Sequence, residues 1–218
     1  MDLAELFERG GPLMWVILGA SLVAAAAFID RLIALRRSVI APQSLFTALE
    51  NHLRAGDAAR AAQLCREQRT LLSGITASGL EKRRRGRAAA KEAMEESGAV
   101  AIGGLESWVN VLATVAAVAP LLGLLGTVTG MIEVFYEVER AVTPDIARLS
   151  GGIKEALYTT GAGLTVGIPV YVAYRYVESR IDRFAQELEA KSLALLDLMV
   201  PAGVKGEAPV EDDAEGEA

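Results

Sequence analysis

The sequence predicts an all-α membrane protein in which three helices cross the bilayer. Three uncharged runs carry this prediction: residues 10–29, 108–132 and 156–174, of 20, 25 and 19 residues. A helix rises about 1.5 Å per residue and the hydrocarbon core is about 30 Å thick, so each run is long enough to span. Apolar residues make up 52% of the chain and the mean hydropathy is +0.31, both high for a soluble domain. The alternative is three buried helices of a soluble core, but such helices usually carry a polar stripe that these runs lack.

The order of the elements follows from the charges between the runs. Residues 1–9 carry three acids and one base, unlike the basic leader of a signal peptide, so the first run is interpreted as a retained span. The 13 Lys and Arg residues of 31–107 place that region in the cytoplasm. The predicted order is a periplasmic N-terminus 1–9, span 10–30, cytoplasmic helices 31–107, span 108–132, periplasmic loop 133–150, span 151–175, cytoplasmic helix 176–200 and a disordered acidic tail 201–218.

The cytoplasmic parts have the composition and spacing of helices. Asp57 is placed to cap a helix over 58–69. From about Arg87 the helix-forming composition runs straight into the second span. Beyond the third span, apolar residues recur at helical spacing and predict one helix from near Asp145 to about Met199; they are Val177, Ile181, Phe184, Leu188 and Leu195.

The charged and reactive residues exclude several classes of protein. The formal net charge is −6, yet residues 207–218 hold six acids and no base, so the remaining 22 acids balance all 22 bases. One cysteine excludes a disulfide framework and a multi-cysteine zinc site, and one histidine excludes a histidine-rich metal site, so no metal or cofactor is expected. Because nucleotide-binding and nucleophile motifs are absent, an enzyme is not expected. The basic run 81–87 lacks interleaved aromatics, which favours anionic lipid or a partner's acids over nucleic acid. The acidic tail is predicted to be disordered, and the alternative is that it has a docking role.

The spans contain small and hydroxyl residues. Small residues let membrane helices approach closely, which predicts a packing role for Gly126 and Gly130 in the second span and for Gly163 and Gly167 in the third. Each threonine has two readings: it bonds a carbonyl of its own helix, or it lines a water-filled ion path. The threonines concerned are Thr127, Thr129, Thr159, Thr160 and Thr165. Glu155 opens the third uncharged run; it either faces a cavity or lies exposed at the interface, paired with Lys154.

Two of these segments carry a family resemblance. Residues 119–131, APLLGLLGTVTGM, resemble the second-span signature of the ExbB/TolQ/MotA proton-channel family. Residues 151–164, GGIKEALYTTGAGL, followed by Ile168-Pro169 and Tyr174, resemble its third-span signature. The resemblance covers most of residues 1–200. It is closer to the ExbB and TolQ branch than to the flagellar stators, which have four spans, and the chain is most like the ExbB proteins.

The resemblance implies a function, partners and site residues. It implies a homopentamer in the cell inner membrane around an ExbD- or TolR-like single-span partner, which supplies an essential membrane aspartate. The motor would use the proton-motive force to energise a TonB- or TolA-like transducer for outer-membrane transport or envelope maintenance. Thr127 and Thr160 match the pore threonines of the family, and Glu155 matches its buried glutamate.

Three departures from the family pattern keep alternatives open. Lys154 stands where a small or uncharged residue is frequent, Tyr158 replaces an aliphatic residue, and Thr159 stands where Ala is frequent. The additional hydroxyl makes Thr159 a further ion-pathway candidate and allows sodium as the coupling ion, because hard cations prefer oxygen ligands. The alternative functions are a TolQ-like subunit, a sodium-coupled motor subunit and a membrane scaffold that conducts no ion.

Overall fold

The computed structural model describes residues 11–36, 40–140 and 146–201, and this part of the chain is helical with no strand. The predictions for residues 1–9 and for the acidic tail beyond Pro201 lie outside the described residues. The described elements are α1 Gly11–Ala34, α2 Gln43–Arg54, α3 Ala58–Glu67, α4 Leu71–Lys82, a 3-10 turn Arg83–Arg85, α5 Arg87–Arg140 and α6 Ile146–Met199.

Three helices are long and apolar enough to cross a membrane, as predicted. They are Gly11–Ala34, Arg87–Arg140 and Leu149–Met199, with mean hydropathies of 2.2, 2.2 and 1.3 in their most apolar windows. Helices α5 and α6 are each 54 residues long, so both extend well beyond the uncharged runs. Only 22%, 33% and 22% of the residues in those windows are buried within the chain. Most of this apolar surface therefore needs lipid or another chain to cover it.

Helical structure extends from both sides into residues 133–150, the predicted periplasmic loop. Helix α5 continues to Arg140 and α6 begins at Ile146, so only residues 141–145 separate the two helices. The charged residues of 133–140 end the uncharged run but do not end the helix, because Glu and Arg are good helix formers. Charge therefore predicts where the apolar segment ends rather than where the helix ends.

The chain divides into two compact units, which we call the span unit and the bundle unit. The span unit comprises Met1–Ile33 and Glu106–Ser179, and the bundle unit comprises Ala34–Leu105 and Arg180–Ala218. Helix α1 and the apolar parts of α5 and α6 belong to the span unit. Helices α2 to α4, the first part of α5 and the last part of α6 belong to the bundle unit.

The bundle unit has an apolar core and clear helix caps. The side chains of Leu49, Leu72 and Leu195 are fully buried there. Asp57 caps α3 as predicted, because its carboxylate accepts the backbone N–H of Arg60 at 2.9 Å. Thr70 and Ser73 form a reciprocal capping box at the start of α4. All five apolar residues of the predicted α6 stripe, in both units, are buried: Val177, Ile181, Phe184, Leu188 and Leu195.

Cys65 reports on the integrity of the bundle unit. Burial raises the pKa of its thiol to about 11, while the neighbouring Arg66 guanidinium acts in the opposite direction. Only the thiolate is alkylated, and a shift of the pKa from 9.0 to about 11 lowers the thiolate fraction at pH 8 roughly a hundredfold. We therefore expect iodoacetamide at pH 8 to modify Cys65 at least about a hundredfold more slowly than an exposed cysteine.

A matched variant provides the exposed reference for this alkylation rate. Gln63 lies two residues away on α3 and its side chain is exposed, so Gln63→Cys combined with Cys65→Ser presents a reactive thiol on the same helix. Denaturant should bring the two rates together. Equal rates in the folded protein would contradict the burial of Cys65.

Candidate functional site

Helices α5 and α6 meet in the span unit along a row of small residues. A Cβ atom added to Gly163 would lie 2.6 Å from the Ala119 carbonyl oxygen, and one added to Gly167 would lie 2.6 Å from Pro120 Cγ. Real Cβ atoms do not approach other atoms this closely, so both positions require glycine for the observed spacing. The two backbones are therefore in direct contact.

The contact continues along both helices. A Cβ on Gly130 would lie 3.0 Å from the Cβ of Ala156, and one on Gly126 would overlap the side chain of Thr159. All four glycines that the sequence singles out for packing thus lie at the α5–α6 contact. Further small residues take part at spacings of three and four, which is the pattern of a helix-packing face; they are Ala116, Ala119 and Gly123 on α5 and Gly152 and Ala156 on α6.

Thr160 makes a hydrogen bond from one long helix to the other. Its hydroxyl donates to the carbonyl oxygen of Gly123 at 2.7 Å. A Cβ on Gly123 would lie 3.0 Å from the Thr160 Cα, so the absence of a side chain at Gly123 allows this approach. In a regular α-helix the same carbonyl accepts the backbone N–H of Thr127. The Gly123 carbonyl therefore lies one helical turn before Thr127, the other predicted ion-pathway threonine.

The other four threonines donate to carbonyls of their own helices, as the simpler reading of the sequence expects. The Thr127 hydroxyl donates to Leu124 O at 2.7 Å and the Thr159 hydroxyl donates to Glu155 O at 2.9 Å. Thr129 and Thr165 behave in the same way. Thr127 and Thr159, the two ion-pathway candidates in this group, differ in exposure. Thr127 is half-buried, whereas Thr159 is 1% exposed and packs against Gly126. Within this subunit, the side chain of Thr127 is accessible and that of Thr159 is not.

Glu155 lies beside the beginning of α1. A Cβ on Gly11, the first residue of α1, would overlap the Glu155 carboxylate oxygen Oε1. The free N–H groups at the start of a helix carry partial positive charge, which favours a carboxylate at this place. Gly11 also has a backbone φ of +67°, which residues with a side chain rarely adopt. Gly11 is therefore suited on two grounds to this contact with Glu155.

Glu155 also borders a cleft between α5 and α6. The cleft has a volume of about 270 Å³, and Glu133, Glu137 and Gly152 line it together with Glu155. The Glu155 side chain is half-buried, and within the described residues no ion pair joins it to Lys154 and no side-chain hydrogen bond joins it to Thr127 or Thr160. The structure thus brings Glu155 to the start of α1 rather than to the threonines.

Sequence reasoning missed two participants in this arrangement. Gly152 is one of them, since a Cβ there would lie 2.5 Å from Val134 Cγ2. Its spacing of four residues before Ala156 and eleven before Gly163 is a signal that a search for small residues at helical spacing would find. Gly11 is the other, and no local pattern indicates its contact with Glu155, which lies 144 residues later.

The fold and this contact define a class of helical membrane protein in which two long helices meet through small residues with hydroxyls at the contact. Residues 67–190, more than half of the chain, match the MotA/TolQ/ExbB proton channel family. The chain belongs to this family, which confirms the resemblance found in the sequence.

Named relatives agree with the ExbB side of the family. The chain is 28% identical over 186 residues to a biopolymer transport protein ExbB homolog of Methanothermobacter thermautotrophicus, covering 85% of this chain and 66% of that relative. It is 39% identical over 83 residues to the Tol-Pal system protein TolQ of Haemophilus influenzae and 38% identical over 79 residues to the biopolymer transport protein ExbB of Neisseria gonorrhoeae. These two matches cover 38% and 36% of this chain and 36% of each relative. The family and relatives are channel and transport proteins, not enzymes.

Proposed function

We propose that this chain is the channel-forming subunit of an ion-driven motor that energises a TonB- or TolA-like transducer. Membership of the proton channel family and the ExbB and TolQ relatives support the class of function. The observation that carries the proposal is the close contact of α5 and α6, across which the Thr160 hydroxyl donates to the Gly123 carbonyl. We propose the cell inner membrane as the location, with the N-terminus in the periplasm and the C-terminus in the cytoplasm.

The working unit in this proposal is a homopentamer around an ExbD- or TolR-like single-span partner. Large apolar side chains on all three spanning helices support an assembly, since Trp15, Phe135 and Leu157 are each about two-thirds exposed in the isolated subunit. Lipid and neighbouring subunits would share this surface. The partner helix would occupy the centre and bring the carboxylate that this chain does not place among its threonines.

The ion path in this proposal uses hydroxyls that accept and donate. A partner carboxylate alternates between its charged and neutral forms, and a threonine hydroxyl donates to the first and accepts from the second. While the Thr160 hydroxyl donates to Gly123 O, its oxygen can accept from the neutral acid. To donate to the charged carboxylate, the hydroxyl must rotate away from that carbonyl, which keeps its hydrogen bond within α5. Thr159 was a further ion-pathway candidate, but its burial against Gly126 favours a packing role, which weakens the argument for sodium as the coupling ion.

The architecture is tested by native mass. We expect the detergent-solubilised chain, co-expressed with an ExbD- or TolR-like protein, to have the mass of a pentamer with fewer partner copies than subunits. A stable monomer or dimer that takes up no partner would contradict the proposed assembly.

Glu155 gives a separate prediction. Replacing Glu155 by Gln is expected to lower ion flux several-fold while destabilising the span unit by only about 0.3–1 kcal/mol, the usual value of a carboxylate at a helix N-terminus. The measurements are proton uptake into vesicles and thermal unfolding in detergent.

Lys154 provides the control for Glu155. It is the neighbouring residue, it is exposed, and Lys154→Gln also changes the charge by one. We expect Lys154→Gln to keep the wild-type flux. If Glu155→Gln also keeps it, the contact with α1 is structural and Glu155 has no part in ion transfer.

A further inference from the structure

Three arginines form a turn in the bundle unit, and none of them makes an ion pair with a described residue. Arg83, Arg84 and Arg85 form the 3-10 turn between α4 and α5, which we call the arginine turn. Arg84 and Arg85 are exposed and Arg83 is half-buried. The nearest bases along the chain are paired, Lys82 with Glu81 at 3.7 Å and Arg87 with Asp197. The three guanidinium groups between them are in no ion pair with a described residue.

The end of α6 is fixed next to the arginine turn. Arg87, two residues beyond the turn, donates from its guanidinium to the carbonyl oxygen of Val200 at 2.9 Å and to the carboxylate of Asp197. Helix α6 ends at Met199, so this interaction holds the last residues before the tail. The last described residues of the chain therefore lie close to three arginines that form no ion pair with a described residue.

The segment that follows has the complementary charge and sufficient length. Residues 207–217 hold six acids, and Lys205 is the only base after Pro201. Five residues, 202–206, separate the described end of the chain from Glu207 and can extend over about 17 Å. The acids thus begin within reach of the arginine turn.

We propose that the acidic segment 207–217 docks on the arginine turn of its own subunit. Single exposed ion pairs are weak, but several carboxylates tethered beside three guanidinium groups act at a high effective concentration. The same tether favours the subunit's own tail over that of a neighbour. Anionic lipid is the competing occupant that the sequence suggests. However, Arg87 lies 21 residues before the second uncharged run, so the arginine turn does not border the membrane-spanning segment. The interaction is electrostatic, so salt should release it, because the screening length falls from about 8 Å at physiological salt to about 3 Å at 1 M.

Photo-crosslinking of the full-length chain tests this docking. A benzophenone amino acid introduced at Ala214, in the middle of the acids, is irradiated in the detergent-solubilised protein, and the adducts are located by mass spectrometry. We expect adducts of monomer mass that join the tail to residues near the arginine turn. The triple variant R83Q/R84Q/R85Q should reduce their yield about tenfold, and high salt should do so without any substitution.

A matched triple variant separates a local contact from a general effect of charge. R60Q/R66Q/R69Q removes three exposed arginines from the same unit and changes the net charge equally. It should leave the yield within about twofold of the wild type, as expected for surface substitutions away from a contact. Adducts scattered over the unit, or an equal loss in both triple variants, would overturn the proposal. Adducts of twice the monomer mass would overturn docking within one subunit. Loss of the adducts when anionic vesicles are added would overturn docking in the membrane, because lipid would then be the preferred occupant of the arginine turn.

Discussion

Replacing Gly163 by alanine is expected to destabilise the span unit by about 2 kcal/mol, measured by thermal or denaturant unfolding in detergent. The new Cβ would lie 2.6 Å from the Ala119 carbonyl oxygen and 2.9 Å from the Gly123 Cα. Both are backbone atoms, so no side chain can rotate away and α5 and α6 must move apart. The cost outweighs the gain of up to about 1 kcal/mol that alanine brings to a helix interior.

The same helix offers two controls for this substitution. A Cβ at Gly151 or at Gly161 would meet no atom within 4 Å in the subunit. Gly151→Ala and Gly161→Ala are therefore expected to leave the stability unchanged or to raise it slightly through helix propensity. If Gly163→Ala is as stable as these controls, the backbone contact between α5 and α6 does not exist as described.

Replacing Thr160 by valine is expected to reduce ion flux far more than stability. Valine keeps the branched shape but removes the hydroxyl that donates to Gly123 O at 2.7 Å. The Gly123 carbonyl retains its bond within α5, so unfolding should become easier by only about 1 kcal/mol. In the ion path, the missing hydroxyl leaves a polar group of the path without its hydrogen-bond partner. This raises the barrier to ion transfer by about 1–3 kcal/mol, which is roughly a 5- to 150-fold loss of rate.

Two variants make the Thr160 result interpretable. Thr160→Ser keeps the hydroxyl and should keep most of the flux. Thr165 also lies in α6, is exposed and donates to a carbonyl of its own helix, so Thr165→Val removes a hydroxyl that makes no bond between the long helices. If Thr160→Val and Thr165→Val conduct equally well, the bond between α5 and α6 has no part in ion transfer, and the scaffold alternative gains support.

The architecture was largely predictable because its signals are local. An uncharged run indicates a spanning segment. The helical spacing of Val177, Ile181 and Phe184 indicates that α6 continues beyond the third run. The cap at Asp57 is likewise a property of a few neighbouring residues. The extent of α5 past residue 132 does not follow from the uncharged run, because the charged residues that end the run do not end the helix.

The candidate site was predictable in its residue types but not in its pairings. Thr159 and Thr160 are adjacent in sequence, yet one is buried against Gly126 and the other donates to Gly123. Their difference depends on the rotation of α6 about its axis against α5, which composition and spacing do not fix to within one residue. The contact of Glu155 with Gly11 and that of Arg87 with Val200 join residues more than a hundred positions apart, and no local pattern encodes either of them.

Proton flux through the assembled complex tests the central proposal most directly. The chain, co-purified with an ExbD- or TolR-like partner and placed in vesicles, is given an inward proton gradient and followed with an internal pH dye. We predict uptake that requires the partner, persists when sodium is replaced by choline, and falls at least about fivefold in Thr160→Val. A complex that assembles fully but carries no protons, or that carries them equally without the Thr160 hydroxyl, would contradict it.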